Sequence, residues 1–310
     1  MVSGSMAGVL VIGSSNTDLV CYAPRIPVPG ETIAGHSFQT FAGGKGANQA
    51  VAAARAGAHV VFVGACGDDD YGAARRADLV AEGIDTSSFR VVAGATSGVA
   101  AIVVDDRGEN QIVYVPGANA TISPDDVARP IAASNYRVVS LTFEIPFETV
   151  ASAIRHRRDE TLVVLNAAPY DERLAELLPV IDVLVCNEIE ASALLGDIVS
   201  RANAERAARK LADQGSRCVV LTLGPDGAVA ADESGVWWTG VPVVTVVDTT
   251  GAGDAFCGAL AAWLAKGQQL REAVRAGVAA GSLAVTCEGA QPSSPNQAQI
   301  HQMLATMNGS

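Results

Sequence analysis

Aromatic residues, positive charge and long apolar runs are all scarce in this chain. Only 5% of its 310 residues are aromatic, while alanine, valine and glycine dominate, which favours close-packed helices on buried strands over a β-sandwich. The formal net charge of −12 argues against nucleic acid or an anionic membrane surface as a partner. An anionic substrate would therefore need local donors, cations or a bound metal to hold it.

Cysteine and histidine lack the spacing of a disulfide framework or a metal centre. The six cysteines include no Cys-x-x-Cys pair, and most lie in apolar runs, which indicates reduced core residues in a cytoplasmic protein. The four histidines are equally dispersed and give little support to a His-based metal site. The N-terminus has no signal pattern and no apolar run approaches a membrane span. Residues 1–6 are expected to be a disordered extension added ahead of the natural start.

Short apolar runs alternate with longer helical patterns along the chain. This alternation predicts an α/β fold, a doubly wound and mostly parallel sheet with helices on both faces. The predicted strands are 9–12, 60–64, 138–141, 162–165, 183–186 and 218–223. The predicted helices are 45–56, 71–82, 147–156, 187–195, 202–214, 254–266 and 270–284.

Two segments break this rhythm. Residues 19–41 contain three prolines and no helical period, and residues 98–116 have the pattern of a hairpin with its turn at 106–108. Together they predict a small antiparallel sheet, here called the β lid. The core domain would then comprise residues 7–18, 42–97 and 117–310. Because so small a sheet is marginal alone, we expect it to pack on the core, on a ligand or on a second copy of the chain.

The most informative stretch leads from a valine-rich run into a glycine-spaced turn. The run at 243–247 predicts a strand, and a helix with Asp254 in its first turn follows the glycines. Main-chain N–H groups at the positive end of a helix dipole suit an oxyanion or a phosphate. A carboxylate beside them suits a base that takes a proton from an attacking hydroxyl. The alternative is that Asp254 is only a helix N-cap and the glycines only form a tight turn.

A second glycine cluster runs from Gly43 to Asn48. It is not a nucleotide P-loop, because Gly46 stands where a Ser or Thr must follow the lysine. It is not a dinucleotide fingerprint, because no core strand precedes it. Amide and ammonium side chains separated by glycine backbone suit a polyhydroxylated ligand such as a sugar. The alternative is a plain turn with Lys45 as a solvated helix start.

Polar residues follow the carboxyl ends of the predicted strands. Ligands of open α/β sheets bind in the crevice outside these ends, so the distribution predicts a site there. The residues concerned are Asn16, Asp18, Thr142, Glu144, Asn166, Asn187, Glu190, Thr222, Gly224 and Asp248.

With both glycine clusters in place, the chain resembles the ribokinase family of sugar kinases (PfkB-type carbohydrate kinases) over residues 7–305. The resemblance is carried by residues 43–48 and 248–254, and Asn16, Asp18, Gln49 and residues 143–146 bring it nearest to the members that phosphorylate ribose. It implies ATP-dependent transfer of the γ-phosphoryl group to the 5-hydroxyl of D-ribose. It also implies a homodimer paired through the β lid.

The resemblance further implies roles for individual residues. Asp254 matches the catalytic base, and Gly251, Ala252 and Gly253 match the anion hole. The sugar-binding positions match Asn16, Asp18, Gly44, Lys45, Asn48 and Glu144. The positions near ATP and Mg²⁺ match Asn187, Glu190, Thr222, Gly224, Gly227 and Gly253. An activating K⁺ would have Asp248 and Ser293 as side-chain ligands and the carbonyls of Thr250, Ala284, Cys287 and Gly289. Val278 departs from the polar residue expected beside adenine, which puts nucleotide selectivity in doubt.

Other substrates and another class of function stay open at this point. Deoxyribose, another pentose, a ketohexose, a sugar acid or a nucleoside are the alternative substrates. A sugar phosphate would need an arginine or lysine cluster in the lid, which offers only Arg25 and Arg107. A nucleoside would need more aromatic lid residues than this sequence has. The third possibility is a regulator that binds sugar or nucleotide without catalysis, against which the presence of both motifs speaks.

Overall fold

The computed structural model describes residues 8–133 and 136–307. The extension expected at residues 1–6 lies outside this range. Among the described residues, no helix combines the length and the apolar character needed to cross a membrane.

Strands and helices alternate along most of the described chain. The strands are β1 Gly8–Ile12, β2 Asn16–Ala23, β3 Ser37–Gly43, β4 His59–Gly67, β5 Phe89–Val92, β6 Gly98–Asp105, β7 Asn110–Val115, β8 Val138–Leu141, β9 Leu162–Asn166, β10 Val183–Asn187, β11 Cys218–Thr222, β12 Ala228–Asp232 and β13 Gly235–Thr239. The α-helices are α1 Lys45–Arg55, α2 Asp70–Ala81, α3 Pro124–Ala133, α4 Phe147–Arg155, α5 Glu188–Leu195, α6 Ala204–Ala212, α7 Ala252–Ala265, α8 Leu270–Ala284, α9 Ala290–Ser293 and α10 Gln297–Met307.

The larger sheet has the order β13-β12-β11-β10-β9-β8-β1-β4-β5. The strands from β11 to β5 pair in parallel, and the two remaining pairs at the β13 edge are antiparallel. Two apolar cores cover its two faces, one built with α1, α7 and α8 and the other with α3 to α6. Because both faces are buried, the central strands are nearly continuous valine, leucine and isoleucine. The predicted doubly wound fold is confirmed.

All six predicted core strands and all seven predicted helices are present, with ends displaced by at most three residues. The prediction missed β5, β12, β13, α3, α9 and α10. Strand β12 is rich in alanine, which has low strand propensity. Helix α3 contains Pro130, which normally marks a helix end.

The strand predicted at 243–247 is wrong. These residues form no strand, and Val243, Val246 and Val247 are exposed. The β preference of valine reflects its fit to a pleated, half-buried surface, and neither sheet offers this segment a neighbouring strand. Asp248 therefore follows a segment without regular secondary structure and not a strand.

The predicted second sheet is present, with the order β3-β2-β6-β7, and it contains the predicted hairpin. Its central pair, β2 and β6, is parallel, so the sheet is mixed and not purely antiparallel. In the register of this sheet, Asn16, the first residue of β2, pairs with Gly98, the first residue of β6. On its other side Asn16 pairs with Gly43, the last residue of β3. Both strands thus leave the core from the same end, which makes them run in the same direction.

Helices α1 and α7 pack against each other at a glycine. A Cβ atom on Gly258 would lie 2.5 Å from Ala52 Cβ and 2.7 Å from the carbonyl oxygen of Gln49. A larger residue would push the two backbones apart. The close approach places the first turns of both helices next to each other at one edge of the sheet.

We predict that Gly258→Ala destabilises the protein although alanine is the better helix former. The added methyl group overpacks a tight backbone contact, which costs about 1–3 kcal/mol of unfolding free energy. Urea denaturation measures this loss. Gly240→Ala is the control, because a Cβ there would meet no atom within 4 Å. Equal effects of the two substitutions would contradict the packing constraint.

Candidate active site

Asp254 lies in the first turn of α7, directly after the glycine turn. Gly251 is the N-cap residue, with a φ of 76° in the left-handed region, and it makes no side-chain cap bond. The Asp254 side chain is 6% exposed. Its Oδ2 accepts a hydrogen bond from Asn48 Nδ2 at 3.0 Å, and its Oδ1 accepts one from Gln49 Nε2 at 3.2 Å. The interpretation of Asp254 as an N-cap is therefore wrong, since the N-cap is Gly251 and the amides that donate to the Asp254 carboxylate come from another helix.

The glycine turn is closed on one side and open on the other. A Cβ on Gly251 would lie 2.6 Å from Ala290 Cα, so the turn rests directly on α9. A Cβ on Gly253 would meet no atom within 4 Å. The main chain at Gly253 thus borders open space at the positive end of the helix, as an anion hole requires, while the Ala252 amide makes a long hydrogen bond of 3.3 Å to the Thr249 carbonyl.

The start of α1 carries a buried electrostatic cluster. Gly44 is the N-cap with a φ of 91°, and Lys45 N donates to Glu144 Oε2 at 3.0 Å. The charge of Asp254 raises the pKa of the Lys45 ammonium; burial lowers it, while Glu144 and Glu190 raise it further. Lys45 is therefore firmly cationic and faces three carboxylates, which rules out the solvated-lysine alternative.

Asp18 on β2 belongs to the same cluster. Burial, with the nearby charges of Glu144 and Asp254, raises the pKa of its carboxyl to about 6, against a lowering effect of Arg75. A Cβ on Gly43 would lie 2.4 Å from either Asp18 oxygen, so only glycine leaves room for this carboxylate. The unliganded site thus holds Asp18 under electrostatic stress.

Several buried supports of the site escaped the sequence analysis. Asn119 Nδ2 donates to Asn16 Oδ1 at 2.8 Å, and Ser15 N donates to Asn119 Oδ1 at 3.0 Å. Ser14 Oγ donates to Glu144 Oε2. Gln49 accepts from Ser140 Oγ at 3.1 Å while it donates to Asp254. Gln49 directly follows the second glycine cluster; the sequence analysis used it for the resemblance but assigned it no role in the site.

Asn187 and Glu190 form a capping box at the start of α5. Glu190 N donates to Asn187 Oδ1, and Asn187 N donates to Glu190 Oε2, both at 2.9 Å. Burial raises the pKa of the Glu190 carboxyl, while the bond from the Asn187 amide and the charge of Lys45 lower it, with a net rise. The register of β10 and β11 sets Asn187 beside Thr222. The predicted nucleotide residues of the two strand ends are therefore neighbours.

The loop after β11 is a single helical turn, from Gly224 to Asp226. Gly224 and Gly227 both have positive φ, and Leu223 N donates to the Gly227 carbonyl at 2.8 Å. Val278, expected beside adenine, is 5% exposed and belongs to the apolar core.

The residues predicted to hold K⁺ come from two loops that are joined directly. Gly289 N donates to Asp248 Oδ2, and Thr250 N donates to Asp248 Oδ1, both at 2.9 Å. Burial raises the pKa of Asp248, but these hydrogen bonds lower it more, so the carboxylate is ionised near neutral pH. Ser293 Oγ donates to the Ala290 carbonyl and keeps its lone pairs. An ionised carboxylate, a hydroxyl and main-chain carbonyls are hard oxygen donors, which fit an alkali cation.

Four of the six cysteines are buried, as expected from their apolar surroundings in the sequence: Cys66, Cys186, Cys218 and Cys257. Cys21 and Cys287 are exposed, contrary to that expectation. Cys21 lies in the lid sheet, and Cys287 lies in the loop between α8 and α9, and both places are covered less than the main sheet.

Comparison with known proteins identifies the class. The family model of the pfkB family carbohydrate kinases matches residues 6–297. The chain therefore belongs to the PfkB family of carbohydrate kinases, and it is an ATP-dependent sugar kinase.

Within this family the similar proteins include ribose and deoxyribose kinases. The chain is 38% identical to the ribokinase of Bacillus subtilis, over 97% of this chain and 100% of that protein. It is 37% identical to the ribokinase of Haemophilus influenzae, over 95% of this chain and 97% of that protein. It is 35% identical to the deoxyribokinase of Salmonella typhi, over 96% and 98% of the two chains.

Solved structures give the same result. The ribokinase of Thermotoga maritima superposes with a TM-score of 0.88 at 34% identity, over 96% of this chain and 99% of that one. The ribokinase of Arabidopsis thaliana, solved with ribose and ATP, superposes with a TM-score of 0.87 at 31% identity and the same coverage.

We predict that Asp18→Asn stabilises the unliganded protein at pH 7. The folded-state pKa of about 6 lies above the ordinary aspartate pKa of 3.8, so wild-type stability falls as the pH rises through this window. The substitution removes this loss and gains about 1–3 kcal/mol at pH 7. Urea denaturation at several pH values should show the gain shrink towards zero near pH 4.

Asp69→Asn is the control, because the pKa of Asp69 is shifted in the opposite direction to that of Asp18. Burial raises the pKa of Asp69, but bonds from Ser97 and Gly72 lower it more, with a net fall. Its loss should destabilise the protein at pH 7 and matter less in acid. A destabilising Asp18→Asn at pH 7 would contradict the electrostatic stress described above.

Proposed function

We propose that this chain transfers the γ-phosphoryl group of ATP to the 5-hydroxyl of D-ribose, giving ribose 5-phosphate and ADP. The observation that carries the proposal is the placement of Asp254. It is buried beside the open first turn of α7 and held by two amides from α1. A carboxylate held in this way is oriented as a base, and the adjacent turn offers donors for a phosphoryl group.

The groups around Asp254 suit a small polyol. Asp18 and Glu144 are acceptors for vicinal hydroxyls, while Lys45 and the Asn48 amide are donors. Asn16 and Gly44 complete the proposed sugar site. The side chain of Asn16 is held in place by a hydrogen bond from Asn119. Asn48 Oδ1 and Thr142 Oγ1 are buried and find no hydrogen-bond partner within residues 8–133 and 136–307. Such atoms are costly unless a ligand satisfies them, which supports a hydroxylated substrate here.

In the proposed reaction the ribose 5-oxygen attacks the γ-phosphorus in line, while the bond from that phosphorus to the bridging oxygen of ADP breaks. Asp254 accepts the proton of the attacking hydroxyl. The amides of Gly251, Ala252 and Gly253 stabilise the negative charge on the transferred group. The β lid, comprising residues 19–41 and 98–116, covers the sugar and excludes water that would hydrolyse ATP.

ATP is proposed to lie along Thr222, Gly224, Gly227 and the first turn of α7. Asn187 and Glu190 would hold Mg²⁺ near the phosphates. The cation loops would hold K⁺ through Asp248, Ser293 and the carbonyls of Thr250, Ala284, Cys287 and Gly289. When bound, these ions supply positive charge that the acidic protein otherwise lacks.

Deoxyribose is the second candidate substrate, because the similarity to a deoxyribokinase is nearly as high as that to the ribokinases. The two sugars differ by one hydroxyl. A site that hydrogen-bonds this hydroxyl loses about 1–3 kcal/mol for each partner left without it.

The lid also supports a homodimer as part of the proposal. Phe38, Ile112, Val113 and Val115 are 60%, 53%, 63% and 46% exposed on the small sheet. A second copy of the sheet would cover such residues and protect its edges. The free state of all six cysteines supports placement in a reducing compartment, for which we propose the cytoplasm.

The substrate assignment is tested by ADP release with a panel of acceptors at saturating Mg²⁺ and K⁺. The panel contains ribose, 2-deoxyribose, fructose and adenosine. We expect the highest kcat/KM with ribose and a single phosphate ester at carbon 5, identified by ³¹P NMR. A higher kcat/KM with deoxyribose would select the second candidate, and no turnover of any pentose would remove both.

We predict that Asp254→Asn abolishes turnover with little effect on binding. The amide cannot accept the proton, and loss of a general base lowers kcat by about 10²–10⁴-fold. Calorimetry should give dissociation constants for ribose and ATP within about threefold of wild type, a change below 1 kcal/mol. Asp126→Asn is the matched control, since Asp126 is also a first-turn helix carboxylate but contacts Ser123 and Arg90 instead. Loss of ribose binding in Asp254→Asn would instead mark a structural role.

A further inference from the structure

The last residue of α1, Arg55, joins that helix to the segment behind the glycine turn. Its Nη1 donates to the carbonyls of Gln291 at 2.7 Å and Ser294 at 2.9 Å, with a longer contact of 3.4 Å to Pro292. Its Nε and Nη2 donate to both carboxylate oxygens of Glu82, at 3.0 and 2.6 Å. The guanidinium is thus fixed by a bidentate ion pair on one side and by main-chain oxygens on the other.

The segment held in this way is α9, and it touches the active site at two points. At its start, Gly289 N donates to Asp248 Oδ2. Next to it, Ala290 lies so close to Gly251 that a Cβ on the glycine would be 2.6 Å from Ala290 Cα. Any displacement of α9 therefore moves the surface on which the glycine turn rests.

The same helix carries the amides that orient Asp254. Asn48 and Gln49 lie near the beginning of α1 and Arg55 lies at its end. A rigid helix of 11 residues thus connects the carboxylate with the support of the glycine turn. Contacts from α1 therefore position both the proposed base, Asp254, and the support of the proposed anion hole, α9.

We propose that Arg55, clamped by Glu82, is a positioning residue that sets the anion-hole turn and the cation loop through α9. The inference rests on the proposed function and deepens it. Only arginine has a planar fork that can satisfy a carboxylate and several carbonyls at once, whereas lysine provides a single point charge. Ser293 and Gly289, proposed as K⁺ ligands, lie in or next to the clamped segment, so the clamp also fixes their positions.

The test compares Arg55→Gln, Arg55→Lys and Glu82→Gln with the control Arg157→Gln. Arg157 is a matched control because it follows the end of α4, donates to the Ile154 carbonyl at 3.0 Å and pairs with Asp182. Its side chain is 24% exposed, against 26% for Arg55. For each variant we would measure kcat, the KM for ribose, the KCl concentration for half-maximal activity, and the rise in Tm that KCl causes relative to choline chloride.

For Arg55→Gln we expect kcat to fall by about 10–100-fold and the half-activating KCl concentration to rise by about tenfold, since misplacement by about 1 Å costs rates of this order. The KM for ribose should stay within about threefold, and the KCl-dependent rise in Tm should disappear. Arg55→Lys and Glu82→Gln should fall between these values and wild type. Arg157→Gln should lower Tm without changing kcat or the KCl dependence.

If Arg55→Gln lowers Tm as Arg157→Gln does but leaves kcat and the KCl dependence unchanged, the clamp is only structural and the inference is overturned. If Arg55→Gln does not fold, Glu82→Gln decides in the same way, because it removes the ion pair that fixes the guanidinium but keeps the Arg55 side chain. An inactive wild-type protein would contradict the proposed function itself. An active wild type whose kcat and KCl dependence survive loss of the clamp would contradict only the inference about Arg55.

Discussion

The contact between α1 and α7 is the constraint on which the rest of the site depends. A buried carboxylate is tolerated only where donors satisfy it, and the donors of Asp254 come from another helix about two hundred positions away in sequence. They reach it because Gly258 lets the two backbones approach closely. The same packing sets the first turn of α7 at the edge of the sheet, where parallel strands end and ligands of α/β proteins bind. The proposed base and the proposed anion hole are therefore both positioned by one helix pair.

The charge distribution of the candidate site is unfavourable in the protein without a ligand. Glu144 and Asp254 lie near both Lys45 and Asp18, and burial, together with the charges of these two carboxylates, raises the pKa of Asp18 to about 6. Fixed strain of this kind is common at functional sites, where stability is given up for binding. The buried oxygens of Asn48 and Thr142, which have no hydrogen-bond partner among the described residues, also lower the stability of the protein without a ligand. In the capping box of Asn187 and Glu190, by contrast, the two residues satisfy each other without a ligand.

Much of the fold could be predicted from the sequence, because both faces of the sheet are buried and the strands are therefore short continuous apolar runs. The elements that were missed have weak local signals, such as the alanines of β12 and Pro130 in α3. Val243 and its neighbours gave the opposite error, a strong local signal without a partner strand. In the candidate site, Asp254 and Lys45 stand in glycine-rich motifs, so the sequence could predict roles for them. Asn119, Ser140 and Arg55 act through contacts 91 or more positions away, which no local pattern encodes.

The most direct test of the central claim is a crystal structure of the complex with ribose and a non-hydrolysable ATP analogue. The account predicts an Asp254 carboxylate oxygen within hydrogen-bonding distance, about 2.6–3.2 Å, of the ribose 5-hydroxyl. It also predicts that the γ-phosphate lies against the amides of residues 251–253. A sugar bound with another hydroxyl towards Asp254, or a carboxylate turned away from the crevice, would contradict it.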